Sequence, residues 1–85
     1  MKICVVALGK IGLPLAVQFA SKGHEVIGVD VNAATVAMVN AGKEPFPGEA
    51  HLAEKLAEVV DSGRLTATTD TAAAVAQCQA VVLVV

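Results

Sequence analysis

The pattern of apolar and polar residues along the chain predicts four strands and four helices. Four short apolar blocks predict strands, and the segments between them carry apolar residues three and four positions apart, which is helical spacing. The predicted strands cover residues 2–8, 25–30, 64–68 and 80–85. The predicted helices cover residues 10–22, 33–40, 51–62 and 69–78, while the proline-containing segment 43–50 predicts a loop.

The first strand is apolar without interruption, which predicts a central strand covered on both faces. With the element order β-α-β-α-α-β-α-β, right-handed crossovers predict an α/β fold with a doubly wound parallel sheet in the strand order 3-2-1-4. The winding reverses between strands 1 and 4. The sequence therefore predicts a ligand crevice at the carboxyl ends of these two strands, flanked by Gly9 and Val85.

A glycine turn follows the first strand, since residues 3–12 read ICVVALGKIG. Gly9 has no side chain, so a phosphate group can approach its backbone, and Gly12 allows the next helix to pack close to the strand. That helix directs its free N–H groups and the positive end of its dipole at the turn. This arrangement suits a pyrophosphate.

Asp30 completes the pattern of a dinucleotide-binding site. It ends the second strand, 18 residues after Gly12, where an acid accepts hydrogen bonds from both hydroxyls of the adenosine ribose. Its carboxylate also repels a 2′-phosphate, and residues 31–42 contain no Arg or Lys to neutralise one. We therefore predict NAD rather than NADP. The alternative is that Asp30 is an ordinary strand-end or helix-capping acid.

Ala7 stands where the glycine pattern G-x-G-x-x-G has its first glycine. If this position requires a positive φ, an alanine there costs on the order of 1 kcal/mol or more. If the position requires only a small side chain, the alanine costs almost nothing. The sequence leaves both alternatives open.

Composition narrows the class of protein. Eighty-five residues allow one domain at most, and the high hydrophobic content (55%) with few aromatic residues (2%) suits closely packed helices on a parallel sheet. A net charge of −2 offers no basic patch for nucleic acid. No apolar run approaches the ~18 residues of a membrane span, and no secretory signal pattern is visible. We predict a cytoplasmic protein.

The cysteines and histidines give no support for a metal site. Cys4 and Cys78 lie 74 residues apart in apolar surroundings, and we interpret both as small buried hydrophobic residues. His24 and His51 show no spacing typical of metal ligands. We interpret both histidines as solvated or capping residues.

Three segments give the chain a family resemblance: ALGKIGLPLAVQFASKGHEVIGVDVN, VNAGKEPFPGEAHL and GRLTATTD. They resemble the N-terminal, Rossmann-type NAD-binding domain of the nucleotide-sugar 6-dehydrogenases, which include the UDP-glucose and UDP-N-acetylmannosamine dehydrogenases. The resemblance implies oxidation of a UDP-sugar at its C6 hydroxyl with two NAD, in a full-length protein that is a homo-oligomer. It places the backbone of Lys10 and Ile11 at the pyrophosphate, Asp30 at the adenosine ribose and Thr35 on the adenosine side.

The resemblance also implies that the catalytic cysteine and lysine and the sugar-binding domain belong to later parts of the family's chain. No catalytic residue is therefore assigned here. The chain reaches its most apolar strand at residues 80–85 and stops. We expect residues 1–85 to be the N-terminal part of an NAD-binding domain, because an uncovered apolar strand is prone to aggregation.

The chain departs from the family pattern at several positions. Lys10 replaces a usual aromatic residue, Thr35 a basic residue and Gln79 an acid, and the loop reads EAHL where the family usually has Glu-Pro-Gly-Leu. Two other functions stay open. A β-hydroxyacid dehydrogenase resembles the first 30 residues, although many of its members use NADP and lack the long loop. A non-catalytic NAD-binding or redox-sensing module would also keep Asp30 and the turn.

Overall fold

The computed structural model describes residues 1–46 and 51–84. Its elements follow the predicted order, and their bounds are β1 Lys2–Val6, α1 Gly12–Ser21, β2 Glu25–Val29, α2 Ala33–Asn40, α3 Leu52–Asp61, β3 Leu65–Thr68, α4 Thr71–Gln77 and β4 Ala80–Leu83. Residues 47–50 of the predicted loop and Val85 lie outside the described residues.

The four strands form one parallel sheet in the order β3-β2-β1-β4, which confirms the predicted topology. The central position of β1 is also confirmed, because Ile3, Cys4 and Val5 are all buried. Val6 is in register with Val29 on one side and with Leu83 on the other. The carboxyl ends of β2, β1 and β4 therefore meet at the same edge of the sheet.

Two hydrophobic clusters of unequal size cover the sheet. The larger cluster joins α1, α2 and α3 to alternate residues of the strands, such as Ile3 and Val5 of β1. The smaller cluster lies on the opposite face, where Ala74 of α4 packs with Cys4 and Val29. This division is the doubly wound arrangement, since the winding direction changes after β3.

Three helix ends carry residues that suit a cap. Asn32 caps α2, because its side-chain oxygen accepts hydrogen bonds from the N–H groups of Ala34 (2.9 Å) and Thr35 (3.3 Å). Asp70 caps α4 through the N–H of Ala73 (3.1 Å). Gly23 follows α1 with φ +97°, a left-handed conformation that is common for glycine just after a helix.

Several helices and strands were predicted one or two residues too long at one end or both. β1 ends at Val6 instead of residue 8, and α1 begins at Gly12 instead of residue 10. Ala7 causes the first difference, because its φ of +80° turns the chain out of the extended conformation. β4 ends at Leu83, and β2 ends at Val29 rather than Asp30.

Candidate dinucleotide-binding site

The turn between β1 and α1 has the backbone geometry that its glycines predict. Gly12 lies so close to the preceding strand that a Cβ there would collide with the carbonyl oxygen of Ala7. The first helical turn begins directly over this contact, and the N–H of Leu13 donates to the carbonyl oxygen of Gly9 (3.0 Å). Gly12 therefore permits the close approach of helix and strand that the sequence predicts.

Gly9 faces open space. A Cβ at this residue would meet no atom within 4 Å, and both Gly9 and Lys10 are exposed. In the part of the chain that the structure describes, the backbone N–H groups of residues 9–12 donate no hydrogen bond. Free N–H groups at the start of a helix are the donors that an anion binds. The turn can thus accept a phosphate group.

The structure decides between the two alternatives for Ala7, a required positive φ or only a required small side chain. Its φ of +80° shows that the position requires a left-handed backbone, for which glycine has no steric penalty. The N–H of Ala7 donates to the carbonyl oxygen of Val29 (2.7 Å). This hydrogen bond joins the turn to the end of β2. It helps to hold Ala7 in its strained conformation between β1 and α1.

Asp30 lies beside the turn and hydrogen-bonds to it. One carboxylate oxygen accepts the N–H of Leu8 (2.9 Å), and the other accepts the N–H of Asn32 (2.9 Å). The side chain is half-buried, and each carboxylate oxygen can accept a further hydrogen bond. The acid that we assign to the ribose therefore hydrogen-bonds to Leu8, the residue before Gly9, and it also supports the backbone.

The other predicted contacts lie around this centre. Lys10 and Ile11 are exposed at the start of α1, and 67% of Ile11 is accessible to solvent. Thr35 is half-buried in the first turn of α2, where its N–H is engaged by the Asn32 cap. Val31 is 95% exposed next to Asp30. The structure thus brings Gly9, Lys10, Ile11, Gly12 and Asp30 to one edge of the sheet, with Thr35 on the neighbouring helix.

The end of β4 forms the other border of the crevice. The N–H of Val84 donates to the carbonyl oxygen of Val6 (3.2 Å), and the Val84 side chain lies 3.5 Å from the Cβ position of Gly12. The sequence predicted Val85 at this border. Val85 lies outside the described residues, and Val84 is the residue that contacts the turn.

The histidines lie away from this edge. His51 precedes α3 with φ +71° and has an exposed side chain, whose Nδ1 lies 3.9 Å from the carboxylate of Glu54. It makes no side-chain capping hydrogen bond, so it is a solvated rather than a capping residue. Among residues 1–46 and 51–84, no group of three or more His, Cys, Asp or Glu side chains is placed to hold a metal ion. None of the helices described there is both long and apolar enough to cross a membrane.

The comparisons with known proteins agree with this geometry. The profile described as "UDP-glucose/GDP-mannose dehydrogenase family, NAD binding domain" matches residues 1–85. The chain belongs to this family. It is 45% identical over 75 residues to a GDP-mannose 6-dehydrogenase from Azotobacter vinelandii, a match that covers 88% of the chain and 17% of that protein. It is 47% identical over 70 residues to a UDP-N-acetyl-D-mannosamine dehydrogenase from Campylobacter jejuni, covering 80% of the chain and 16% of that protein.

Solved structures give the same result. The chain superimposes on the ternary complex of a GDP-mannose dehydrogenase from Pseudomonas aeruginosa with a TM-score of 0.96 and 36% identity. The match covers 100% of this chain and 19% of that one. The chain therefore spans about a fifth or less of the length of these relatives. Its Rossmann-type fold is confirmed, and NAD is its cofactor.

The residues present fit this cofactor. The open space at Gly9 and the free N–H groups of residues 9–12 suit a pyrophosphate. The carboxylate of Asp30 keeps acceptor capacity for ribose hydroxyls, although both of its oxygens already bind backbone N–H groups. NAD would thus be held by the turn and by Asp30.

The sequence did not predict that the carboxylate of Asp30 also binds backbone N–H groups. Its bond to the N–H of Asn32 is an Asx turn, and an aspartate at the end of a strand followed by a polar capping residue is a usual signal for one. The bond to Leu8 has no local signal, because the two residues are 22 positions apart. Asp30 therefore acts as a strand-end acid, while Asn32 is the cap of α2, and the assignment of Asp30 to the ribose stays a prediction.

Proposed function

We propose that residues 1–85 are the N-terminal, NAD-binding part of a nucleotide-sugar dehydrogenase that oxidises the C6 hydroxyl of a UDP-sugar to a carboxylate. The reaction balances as one primary alcohol, two NAD⁺ and one water giving one carboxylate, two NADH and three protons. The hydrogen bond between Leu8 and Asp30 supports the proposal most directly. It holds the ribose acceptor next to the pyrophosphate turn.

Each site residue has a role in this proposal. The N–H groups of Lys10 and Ile11 bind the pyrophosphate, while Gly9 lets the phosphates approach the backbone. Asp30 accepts the hydroxyls of the adenosine ribose with the lone pairs that its backbone bonds leave free. Thr35 contacts the adenosine side. The exposed ammonium group of Lys10 adds a positive charge near the phosphates, which the usual aromatic residue would not.

The substrate, compartment and assembly belong to the proposal as well. The sequence prediction names a UDP-sugar, and the relatives are named for both GDP-mannose and UDP-N-acetyl-D-mannosamine. Both nucleotides therefore belong in a substrate panel. We propose that the full-length protein acts in the cytoplasm as a homo-oligomer. The β-hydroxyacid dehydrogenase is not favoured, because the matched family and its relatives are nucleotide-sugar dehydrogenases.

The stoichiometry of the reaction tests the enzyme assignment. The full-length protein is mixed with limiting UDP-glucose, UDP-N-acetylmannosamine or GDP-mannose and with excess NAD, and NADH is measured by absorbance. We expect two NADH for each sugar consumed with one of these substrates. Binding of NAD without turnover of any nucleotide sugar would favour the non-catalytic module instead.

Replacing Asp30 tests the cofactor site separately. Asp30→Asn should weaken NAD binding by about 1–3 kcal/mol, or roughly fivefold to 150-fold, because a charge-assisted hydrogen bond is lost. NAD and NADP are titrated against wild type and variant by calorimetry. The preference for NAD should fall, because the carboxylate no longer repels a 2′-phosphate.

The ratio of the two affinities separates binding from folding. Asp30 also supports the backbone at Leu8 and Asn32, so a purely structural effect would weaken NAD and NADP alike. Asp61→Asn is the matched control, since Asp61 lies exposed at the end of α3. An unchanged preference for NAD in Asp30→Asn would refute the ribose assignment.

A further inference from the structure

Two cysteines that are far apart in the sequence lie together in the smaller hydrophobic cluster. Cys4, in the middle of β1, is fully buried there with Val29 and Ala74. Cys78 packs against the same cluster and remains partly exposed. Sequence reasoning interpreted both residues as separate buried hydrophobic residues, because only the topology of the sheet brings them together.

The backbone around Cys78 explains this proximity. Cys78 ends α4 in an extended conformation, and the next residue already pairs with β1. The N–H of Gln79 donates to the carbonyl oxygen of Lys2 (2.9 Å), and the N–H of Lys2 donates to the side chain of Gln79 (3.1 Å). Cys78 is therefore held beside the start of β1, from which Cys4 projects into the α4 side of the sheet.

The pKa of Cys4 reflects the same surroundings. Burial, together with the neighbouring Cys78 thiol, raises the pKa of Cys4 above its ordinary value. Cys4 is shielded from solvent. Cys78 is the thiol that an oxidant in solution can reach.

We propose that Cys4 and Cys78 form a reversible oxidation site, in which a hydroperoxide converts the two thiols to a disulfide. The sulfur of Cys78 attacks the O–O bond, which gives a sulfenic acid and releases the alcohol, or water when the oxidant is hydrogen peroxide. The sulfur of Cys4 then attacks the sulfur of Cys78, and water leaves. Overall, two thiols are oxidised by two electrons, and one hydroperoxide is reduced.

The disulfide fastens the end of α4 to the central strand of the sheet. Cys4 lies three residues before Ala7, in the strand that carries the dinucleotide turn at its carboxyl end. The oxidation site does not depend on the proposed function, because neither cysteine is among the residues assigned to NAD. Its test therefore needs no enzyme activity.

Peptide mapping of the full-length protein tests the proposal. The folded protein is treated with hydrogen peroxide, free thiols are blocked with iodoacetamide, and tryptic peptides are analysed without reduction. Cleavage after Lys2, Lys10 and Arg64 places Cys4 on peptide 3–10 and Cys78 on a separate peptide that begins at Leu65. We expect these two peptides to be joined, two hydrogens lighter than their sum, and to separate after reduction.

Dilution and substitution provide the controls. The joined fraction should stay the same over a tenfold dilution, since the bond forms within one chain. Cys78→Ala and Cys4→Ala should each abolish the joined peptide. If either variant does not fold, the wild-type peptide map decides alone. Peroxide treatment that leaves peptide 3–10 unlinked, or links it to any other cysteine, would overturn the proposal.

Discussion

The carboxylate of Asp30 binds the protein's own backbone at the edge of the sheet where we propose that NAD binds. Its hydrogen bond to the N–H of Leu8 joins the ends of β1 and β2, and its bond to the N–H of Asn32 closes a turn after β2. The free lone pairs of the same oxygens are the ones that a ribose can use. The position of this acceptor is therefore set by the fold before the cofactor binds, which reduces the ordering that binding must impose.

Replacing Ala7 with glycine should stabilise the protein. The φ of +80° costs an alanine about 1–2 kcal/mol, whereas glycine adopts it freely but loses about 0.5–1 kcal/mol through greater freedom of the unfolded chain. We expect Ala7→Gly to raise the free energy of unfolding by up to ~1 kcal/mol. Urea denaturation followed by circular dichroism measures this difference.

A second alanine serves as the control for this substitution. Ala37 lies exposed within α2, so Ala37→Gly should lower the free energy of unfolding by about 1 kcal/mol. Opposite signs for the two substitutions are the expected result. A destabilised Ala7→Gly protein would show that the strain at Ala7 is not relieved by removing its side chain.

At this scale the sequence was informative about residue types and less so about their conformations. The glycine spacing predicted the turn, and the position of Asp30 at the end of the second strand predicted that it would lie near this turn. The sign of φ at Ala7 could not be predicted, because the first position of the glycine pattern can require either a positive φ or only a small side chain. The hydrogen bond of Asp30 to Leu8 depends on the parallel pairing of β1 and β2. Such pairing is a property of the sheet and not of either segment.

Among the elements, the edge strand β3 shows how a helix protects an open sheet. Ala67 directs its N–H and carbonyl groups away from β2, and the side chain of Asn40 binds both. Asn40 donates to the carbonyl oxygen of Ala67 (2.9 Å) and accepts from its N–H (2.8 Å). One amide at the end of α2 thus takes the place of a neighbouring strand at this point.

Asn40→Ala should expose this edge. Two hydrogen bonds are lost, but the groups are exposed and water replaces part of their energy, so we expect a loss of about 1 kcal/mol in the free energy of unfolding. The amide of Ala67 should also exchange its hydrogen faster. Residue-resolved hydrogen exchange by NMR measures this rate.

Gln77→Ala is the matched control for the edge. Gln77 donates from its side chain to the carbonyl oxygen of Ala73, also at the surface (3.1 Å), and this bond lies within α4 rather than at a strand edge. Its removal should leave exchange at Ala67 unchanged. Equal protection of Ala67 in wild type and Asn40→Ala would refute the edge role of Asn40.

The order of the elements could be predicted because strands and helices differ in hydrophobic period and because parallel connections have one handedness. The boundaries were less predictable. β1 appeared to reach residue 8, since Leu8 is as apolar as the strand, and the structure buries Leu8 in the core without keeping it in the strand. Hydrophobicity reports burial, whereas the strand ends where Ala7 changes the backbone direction.

In the molecule as a whole, the two faces of the sheet are covered unequally. β4 presents Val82 and Val84 to the large cluster, while Val81 and Leu83 face the side of α4 and are 42% and 73% exposed. The sequence predicted that this apolar strand would be left uncovered in residues 1–85. In the part of the chain that the structure describes, one face of this strand is half-buried and the other is exposed.

The exposed face of β4 should make the isolated 85-residue chain self-associate and poorly soluble, because exposed apolar side chains on an edge strand favour association. Leu83→Thr should reduce this association while preserving the strand, since threonine is β-branched. Sedimentation velocity over a range of concentrations measures the change. Val31→Thr is the control, because Val31 is 95% exposed but lies after β2, outside the β4 face. The isolated chain should also lack dehydrogenase turnover. A monomeric wild-type chain, or equal effects of the two substitutions, would show that β4 does not drive association.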